Sequence, residues 1–318
     1  MVVAALYLDR GIAHFRQNRF AHAIADFDVV LQLKPDDVYA HYNRATARLS
    51  LGDYGRGFQD YEATWRLFHW RGFGPVGDDI DRLNVLPSWR GEHHVRLLVY
   101  HEMGFGDAIM AMRYLPELRR RAKVTLVIDY PLARLARGFD VEVVDRVPSD
   151  LREYDYRLPF FGAMSALQQT AETIPAEPYI AAKWRRSGNR IGIAWSGRTQ
   201  TMFSLEHFLS LLHCDGFQFC SLQPGRTIDG VEPLVPGCDF ADVADRIAQM
   251  DHIVCVDTAA IHLAGAMGHP SAHLVLPYLM DWRWWHTERW YPALKTYRQE
   301  SADNWSAPFK RLNDALKN

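Results

Sequence analysis

Two stretches of this chain set chemically capable side chains at a junction between an apolar run and a helical pattern. In the first, VRLLVY (95–100) leads into HEMGFGDAIMAMRYLP. Gly104 and Gly106 permit a tight turn there, and Asp107 stands at the start of the following helix. A carboxylate so placed serves either as a general base for a hydroxyl bound across a cleft or only as a cap for its own helix. In the second, HIVCVDTAAIHLAGAMGHP sets Asp257 and Thr258 between a buried strand and a helix rich in small residues. The open amides of such a helix start make an anion site suited to a diphosphate, with Thr258, Ala259 and Ala260 as its contacts. Asp257 would repel a diphosphate and reads as a cap, or as the partner of a hydroxyl or a histidine. His262 follows Thr258 by one helical turn on the same face. It either reaches a leaving phosphate as a cation or fills a structural role.

Both stretches need strands to carry them. After Val95, short apolar runs alternate with helical patterns: VTLVI (124–128) and VEVV (141–144), then RIGIAW (190–195), FQFCSL (217–222), HIVCV (252–256) and AHLVL (272–276), with helices near 107–121, 204–212, 242–250 and 258–268. This alternation predicts an α/β fold of parallel sheets in two Rossmann-like halves, with a ligand at the C-terminal strand ends facing the cleft between them. A dinucleotide oxidoreductase built on the same halves would need GxGxxG and a later ribose-binding acid, which the chain lacks.

An internal repeat precedes these halves. Offset by 34 residues, Gly11 pairs with Ala45, Phe20 with Tyr54, Ala23 with Gly57 and Phe27 with Tyr61. That is the tetratricopeptide period of paired antiparallel helices, with small residues where the helices approach and aromatics between them. Two repeats leave apolar end faces, so they are expected to pack on the remainder of the chain, with Trp65, Leu67, Phe68 and Trp70 as docking residues. Residues 71–94 are rich in glycine and proline and read as a linker, and the acidic run Asp78, Asp79, Asp81 within it reads as a solvated turn. The expected organisation is an all-α repeat module over 1–70, a linker over 71–94, an N-terminal half over 95–183 and a C-terminal half over 184–318 closed by a helix from Ser306.

Composition bounds the partners. The 318 residues carry 36 Lys and Arg against 38 Asp and Glu, a net charge of -2, and 48% are hydrophobic. No global positive field draws the chain to nucleic acid or an anionic membrane. The start lacks the pattern of a signal peptide and no uncharged apolar run is long enough to span a bilayer, so a cytoplasmic location is expected. The four cysteines form no CxxC pair, and reduced, mostly buried thiols are expected. Tyr278, Trp282, Trp284, Trp285, Trp290 and Tyr291 crowd one late segment, either to stack on a ligand or to bury surface against the neighbouring half.

GFGDAIMAMRYLP, GIAWSG, SLQ, VDTAAIHLAGAMGHP and LPYLMDWRWW, in this order, resemble the glycosyltransferases of family nine, the heptosyltransferase-like proteins, and especially bacterial proteins that fuse tetratricopeptide repeats to such a domain. The resemblance implies a GT-B fold with an N-terminal acceptor half and a C-terminal nucleotide-sugar half. It also implies inverting transfer without a metal or other cofactor, from a donor expected to be UDP- or ADP-linked, to a protein or glycan acceptor. By resemblance Asp107 matches the general base, and Gly104 and Gly106 its acceptor loop. Thr258, Ala259, Ala260 and His262 match the segment holding the donor diphosphate, and Asp257 belongs to the same donor-binding loop. Ser196, Gly197 and Gln223 match loops lining the donor cleft, and the final helix is expected to cross back to the first half.

The stretch after Gly197 is shorter than in such relatives, and Arg198 stands in for a basic residue they carry further on. The competing reading is a noncatalytic scaffold with a degenerate transferase domain, whose repeats hold a protein partner or a second copy of the chain.

Overall fold

Helices come first in the computed structural model, which describes residues 2–67, 79–197, 204–212, 216–224, 229–302 and 304–317. They are α1 (Val2–Arg16), α2 (Phe20–Leu33), α3 (Val38–Ser50) and α4 (Tyr54–Leu67). They form two hairpins, α1 on α2 and α3 on α4, and α2 and α4 open on residues 34 apart, Phe20 and Tyr54. Gly11 explains the close approach of the first hairpin, since a Cβ there would lie 2.5 Å from the ring of Phe27.

The recurrence extends to charge. Arg10 donates to both carboxylate oxygens of Asp26, at 2.9 and 2.5 Å, and Arg44 does the same to Asp60, at 2.9 and 2.6 Å. The second pair is further tied: Arg44 also reaches Asp28, and Arg48 donates to Asp60. These bidentate pairs hold buried carboxylates between neighbouring helices, and they were readable in the sequence at the same offset as the apolar matches.

A short helix α5 (Ile80–Leu83) leads to the first sheet, built from β1 (Val95–Tyr100), α6 (Phe105–Ala111), α7 (Leu115–Arg121), β2 (Ala122–Val127), α8 (Tyr130–Arg137), β3 (Glu142–Val144), β4 (Tyr156–Pro159) and α9 (Ala163–Ala166). Its order is β3-β2-β1-β4, all parallel. Leu97 and Val99 face one core, with α6 and α7, while Leu98 and Tyr100 face another with Leu83, Leu86 and Val127. Burial on both faces explains why VRLLVY reads as a continuous apolar run rather than an alternating one.

The second sheet comprises β5 (Arg190–Ala194), α10 (Leu205–Leu211), β6 (Gln218–Ser221), β7 (Val231–Glu232), α11 (Phe240–Ile247), β8 (His252–Cys255), α12 (Ala259–Ala266), β9 (Ala272–Leu276), α13 (Thr287–Trp290), β10 (Leu294–Arg298) and α14 (Ser306–Leu316). Its order is β10-β9-β8-β5-β6-β7, again all parallel.

Three expectations change. The end of the 71–94 stretch is no free linker: Leu83, Leu86 and Trp89 are buried, and Trp89 N–H donates to the carbonyl of Arg157 in β4. The final helix α14 stays with the second sheet, where Phe309, Leu312 and Leu316 share a core with Phe208, Val254 and Val275. Asn313 fastens it there by donating to the carbonyl of Leu211. Strands β4, β7 and β10 carry mixed or very short apolar patterns and were not legible. Within the acidic run, Asp79 pairs with Arg82, whereas Asp78 lies outside the described residues.

The aromatic segment after β9 packs chiefly on the helical hairpins. Trp285 meets Phe20 at 5.1 Å between ring centroids, Trp290 meets Tyr54 at 5.3 Å and Trp282 meets Phe58 at 5.9 Å. Trp290 Nε1 donates to the Tyr54 hydroxyl at 3.2 Å. The helical hairpins thus pack on the rest of the chain through residues 282–290. Phe68 and Trp70, and the side chains of Trp65 and Leu67, lie outside the described residues.

Candidate functional site

The strands of each sheet end at the same side of their layer, and the helices that follow β1 and β8, α6 and α12, pack directly on each other. Gly106 makes this possible, because a Cβ there would fall 2.7 Å from His262 Cδ2 and 3.6 Å from the Ala259 Cα. The two chemically capable stretches therefore meet.

Asp107 is fully engaged. Its Oδ2 accepts from the Gly104 amide at 3.1 Å, and its Oδ1 accepts from Arg283 Nη2. Arg283 sits in the turn Trp282–Trp284 beyond β9, and its Nη1 donates to Asp281 Oδ1 at 2.7 Å. The guanidinium lies over the rings of Trp282, at 4.6 Å, and Phe161, at 5.2 Å. A nearly buried cation thus joins a carboxylate beyond β9 to one beyond β1, and aromatic faces hold its plane. Sequence reading missed both Arg283 and Asp281. The signal was an acid and a base interrupting an otherwise aromatic run, MDWRWW.

Behind Asp107 stand His101 and Glu102, also missed. Glu102 is buried and accepts from the amides of Phe160 at 3.0 Å and Phe161 at 3.1 Å. Burial raises its carboxyl to about 8, against the opposing pull of His101 and those amides. His101 has Nδ1 3.2 Å from Asp129 and Nε2 3.3 Å from the Gly104 carbonyl. Burial works against its charge, yet Asp129, Glu102 and that carbonyl outweigh it and raise its pKa. The glycine loop is thereby anchored from beneath.

On the other side, Thr258 is the residue before α12 in extended conformation, and helix geometry leaves the amides of Ala259 and Ala260 without partners inside the helix. The Thr258 hydroxyl caps none of them; it is buried against the thiol of Cys255 without hydrogen-bond geometry. Trp284 is similar, its indole nitrogen buried beside Asp257 without hydrogen-bond geometry. Asp257 has its carboxyl raised, by burial first and then by Asp281 and Asp107, with Trp284 and Arg283 opposing.

His262 is not positioned as a cation. It is buried, its Nδ1 lies 2.9 Å from the Tyr291 hydroxyl, its Nε2 is 4.0 Å from Asp257, and its ring lies 4.7 Å from that of Trp284. Burial, then Arg283 and Arg113, hold the imidazole well below its usual pKa. It packs as a neutral ring. The loop after β5 is tied to that after β6 by Gln223, whose Oε1 accepts from the amides of Trp195 at 2.9 Å and Ser196 at 3.3 Å. Gly197 follows directly, and Arg198 lies outside the described residues.

Tyr42 of α3 and Tyr61 of α4 wall this region. Their rings lie 5.9 Å apart, Tyr61 reaches Phe161 at 5.6 Å, and both phenols are raised, chiefly by burial, with the charges of Asp281, Arg283 and Asp107 also acting on them.

Residues 226–274, which include Asp257, Thr258 and His262, match the family model of glycosyltransferase family 9 (heptosyltransferase). Protein FlbA of Caulobacter vibrioides is 25% identical over 373 residues, an alignment that covers 98% of this chain and 61% of FlbA. The chain thus spans less than two thirds of that relative.

Among solved structures, the bacterial iron-containing dodecameric glycosyltransferase TibC of enterotoxigenic E. coli shares 11% identity over 58% of each chain, with a TM-score of 0.38. TibC in complex with ADP-D-beta-D-heptose shares 10% over 68% of this chain and 66% of its own, at 0.41. A mutant Thermobaculum terrenum O-GlcNAc transferase shares 14% over 96% and 84%, at 0.31. No helix among the described residues is long and apolar enough to cross a membrane. The family match thus lies within the segment that carries Asp257, Thr258 and His262, and it is a similarity over 49 of the 318 residues.

Proposed function

We propose that the chain is a cytoplasmic GT-B enzyme with an N-terminal pair of tetratricopeptide repeats, which moves a sugar from a nucleoside-diphosphate donor to a protein or glycan acceptor with inversion and without a metal. The observation that carries this is the meeting of α6 and α12 across Gly106, which puts the Asp107 carboxylate and the Thr258 helix start in one place. The 34-residue recurrence of both apolar contacts and ion pairs supports the repeat assignment.

In this reading Thr258 and the amides of Ala259 and Ala260 bind the donor diphosphate, with Ser196 and Gly197 lining the nucleotide side. The acceptor oxygen attacks the anomeric carbon while Asp107 takes its proton. Asp257 holds a donor hydroxyl, and His262 supports the helix as a neutral ring. Tyr42 and Tyr61 make the repeats a wall of the acceptor side.

The test incubates the full chain with UDP- and ADP-linked sugars in EDTA and follows release of the nucleoside diphosphate. Turnover of at least one donor, slowed roughly 10² to 10⁴-fold in Asp107→Asn, is expected. A chain that neither binds nor turns over any of them is the noncatalytic scaffold, a reading favoured by one observation: both oxygens of Asp107 are already occupied.

A further inference from the structure

A departing diphosphate develops negative charge and, without a metal, needs a cation held in the protein. His262 is neutral, so that group must be sought elsewhere. Arg283 answers on three independent counts. It sits where the two sheets meet, bonded to Asp107 beyond β1 and to Asp281 beyond β9. Its third donor, Nε, is buried with no hydrogen-bond partner. In the next residue the Trp284 indole nitrogen is buried beside Asp257, again without hydrogen-bond geometry. Buried polar groups are nearly always satisfied in folded proteins, so an unsatisfied guanidinium nitrogen next to the Asp107 loop points to a ligand with acceptor oxygens. A guanidinium stacked between Trp282 and Phe161 can exchange one carboxylate for a phosphate in its own plane, because both offer the same forked pair of oxygens.

We propose that Arg283 is the cation that receives the donor diphosphate, and that its bond to Asp107 is the contact given up when the donor arrives. The inference rests on the transferase reading above. As the bond from the anomeric carbon to the phosphate oxygen breaks, its electron pair stays on that oxygen, where Arg283 meets the charge. The acceptor oxygen forms the new bond to the anomeric carbon, and its proton passes to Asp107 Oδ1, which the guanidinium has left. Before the donor binds, Asp107 is masked; donor binding and release of the base are one event.

Calorimetry on the full chain tests this, with UDP and ADP as probes, uridine and adenosine as controls, and EDTA throughout. Loss of a charge-assisted contact in Arg283→Gln is expected to weaken the diphosphates roughly 10 to 100-fold. The nucleosides should change less than about twofold, a split that general loosening of the fold would not produce. Asp107→Asn removes the competing carboxylate and is expected to tighten the diphosphates roughly threefold or more. If Arg283→Gln does not fold, the Asp107→Asn comparison decides, and unchanged affinity there overturns the exchange. If wild type and a folded Arg283→Gln bind diphosphate equally, the assignment of Arg283 fails while the transferase reading stands. If the wild type binds no nucleotide at all, both fail together.

Discussion

The loops after β1 and β8 occupy equivalent places in their sheets and each carries an aspartate, yet their surroundings differ in kind. Asp107 has an amide on one oxygen and a guanidinium on the other. Asp257 faces a neutral histidine at 4.0 Å and has its carboxyl raised by burial and by other carboxylates. The contrast continues beneath the loops. In the first half His101 and Glu102 both hold protons more tightly than usual, whereas in the second the half-buried His252 and the buried His262, His269 and His273 all hold them less tightly. The difference teaches that one topology was filled with opposite proton chemistry: acids clustered around the first loop, uncompensated imidazoles packed around the second.

The sharpest break of this comparison is expected at the carboxylates. Asp107→Asn keeps the amide contact to Gly104 but removes the proton acceptor, so kcat for transfer should fall roughly 10² to 10⁴-fold, while stability falls by about 1–3 kcal/mol because the new amide nitrogen faces Arg283. Asp257→Asn should act mainly through donor affinity and leave kcat within about tenfold. Steady-state kinetics on both variants checks the pair. Equal losses of kcat would mean that the two loops share the proton, and the contrast would collapse.

Next in size is the contact that joins the loops. Gly106→Val would drive its side chain into His262 and Ala259, and overpacking of this kind costs about 1–3 kcal/mol. Urea unfolding and donor binding measured together should show both weakened. A variant as stable as wild type would show that α6 and α12 separate freely.

The second half should lose stability in acid. Its imidazoles at His269 and His273 are lowered to about 4 and about 3 by burial first, while the unfolded chain takes up protons near 6.5. Their contribution is whole above about 6.5 and fades as the pH falls toward 4, by at most about 1.4 kcal/mol per pH unit for each histidine. The link Ser271–His273–Tyr297, with His252 on the same serine, shows why these rings matter: Ser271 Oγ lies 2.7 Å from His252 and 2.8 Å from His273, which reaches the Tyr297 hydroxyl at 2.9 Å. His273→Asn should flatten the acid limb of a melting-temperature profile, and an unchanged limb would place the proton uptake elsewhere.

Much of the architecture was legible because parallel strands buried on both faces leave continuous apolar runs. VRLLVY, HIVCV and AHLVL were found to within a residue. β10 was not, since LKTYR is an edge strand with Lys295 and Thr296 exposed. At the site, Asp107 and Thr258 stood out because glycine and small residues announce a junction, a local feature. Glu102 and Arg283 act through partners 58 and 176 residues away, Phe160 and Asp107, and no local spacing carries that information; Asp281 enters only through Arg283, two residues on. His262 was legible as a position but not as a neutral ring, because its protonation is set by Trp284, Tyr291 and Arg283 folding over it.

The smallest effect expected is the most diagnostic of the two proton regimes. Glu102 uses both oxygens to accept from Phe160 and Phe161 amides, and Phe161 in turn supports the Arg283 guanidinium. Glu102→Gln preserves shape and one acceptor but turns the other into a donor facing an amide, so at pH 5 it should cost about 1 kcal/mol. The folded carboxyl, raised to about 8, retains its proton after the unfolded chain has lost its own near the ordinary glutamate value. Wild-type stability from this group is therefore complete below about 4.5 and declines as the pH rises through about 8, opposite in sign to the histidines of the second half. The glutamine variant has nothing to ionise. With the wild type losing up to about 1.4 kcal/mol per pH unit, the variant's deficit should vanish within about one unit above pH 5 and reverse from there up to pH 8. Urea unfolding of both proteins at unit intervals of pH reads the crossing directly. A deficit that stays constant across the range would mean that Glu102 is ionised throughout, and that the first half does not retain its proton.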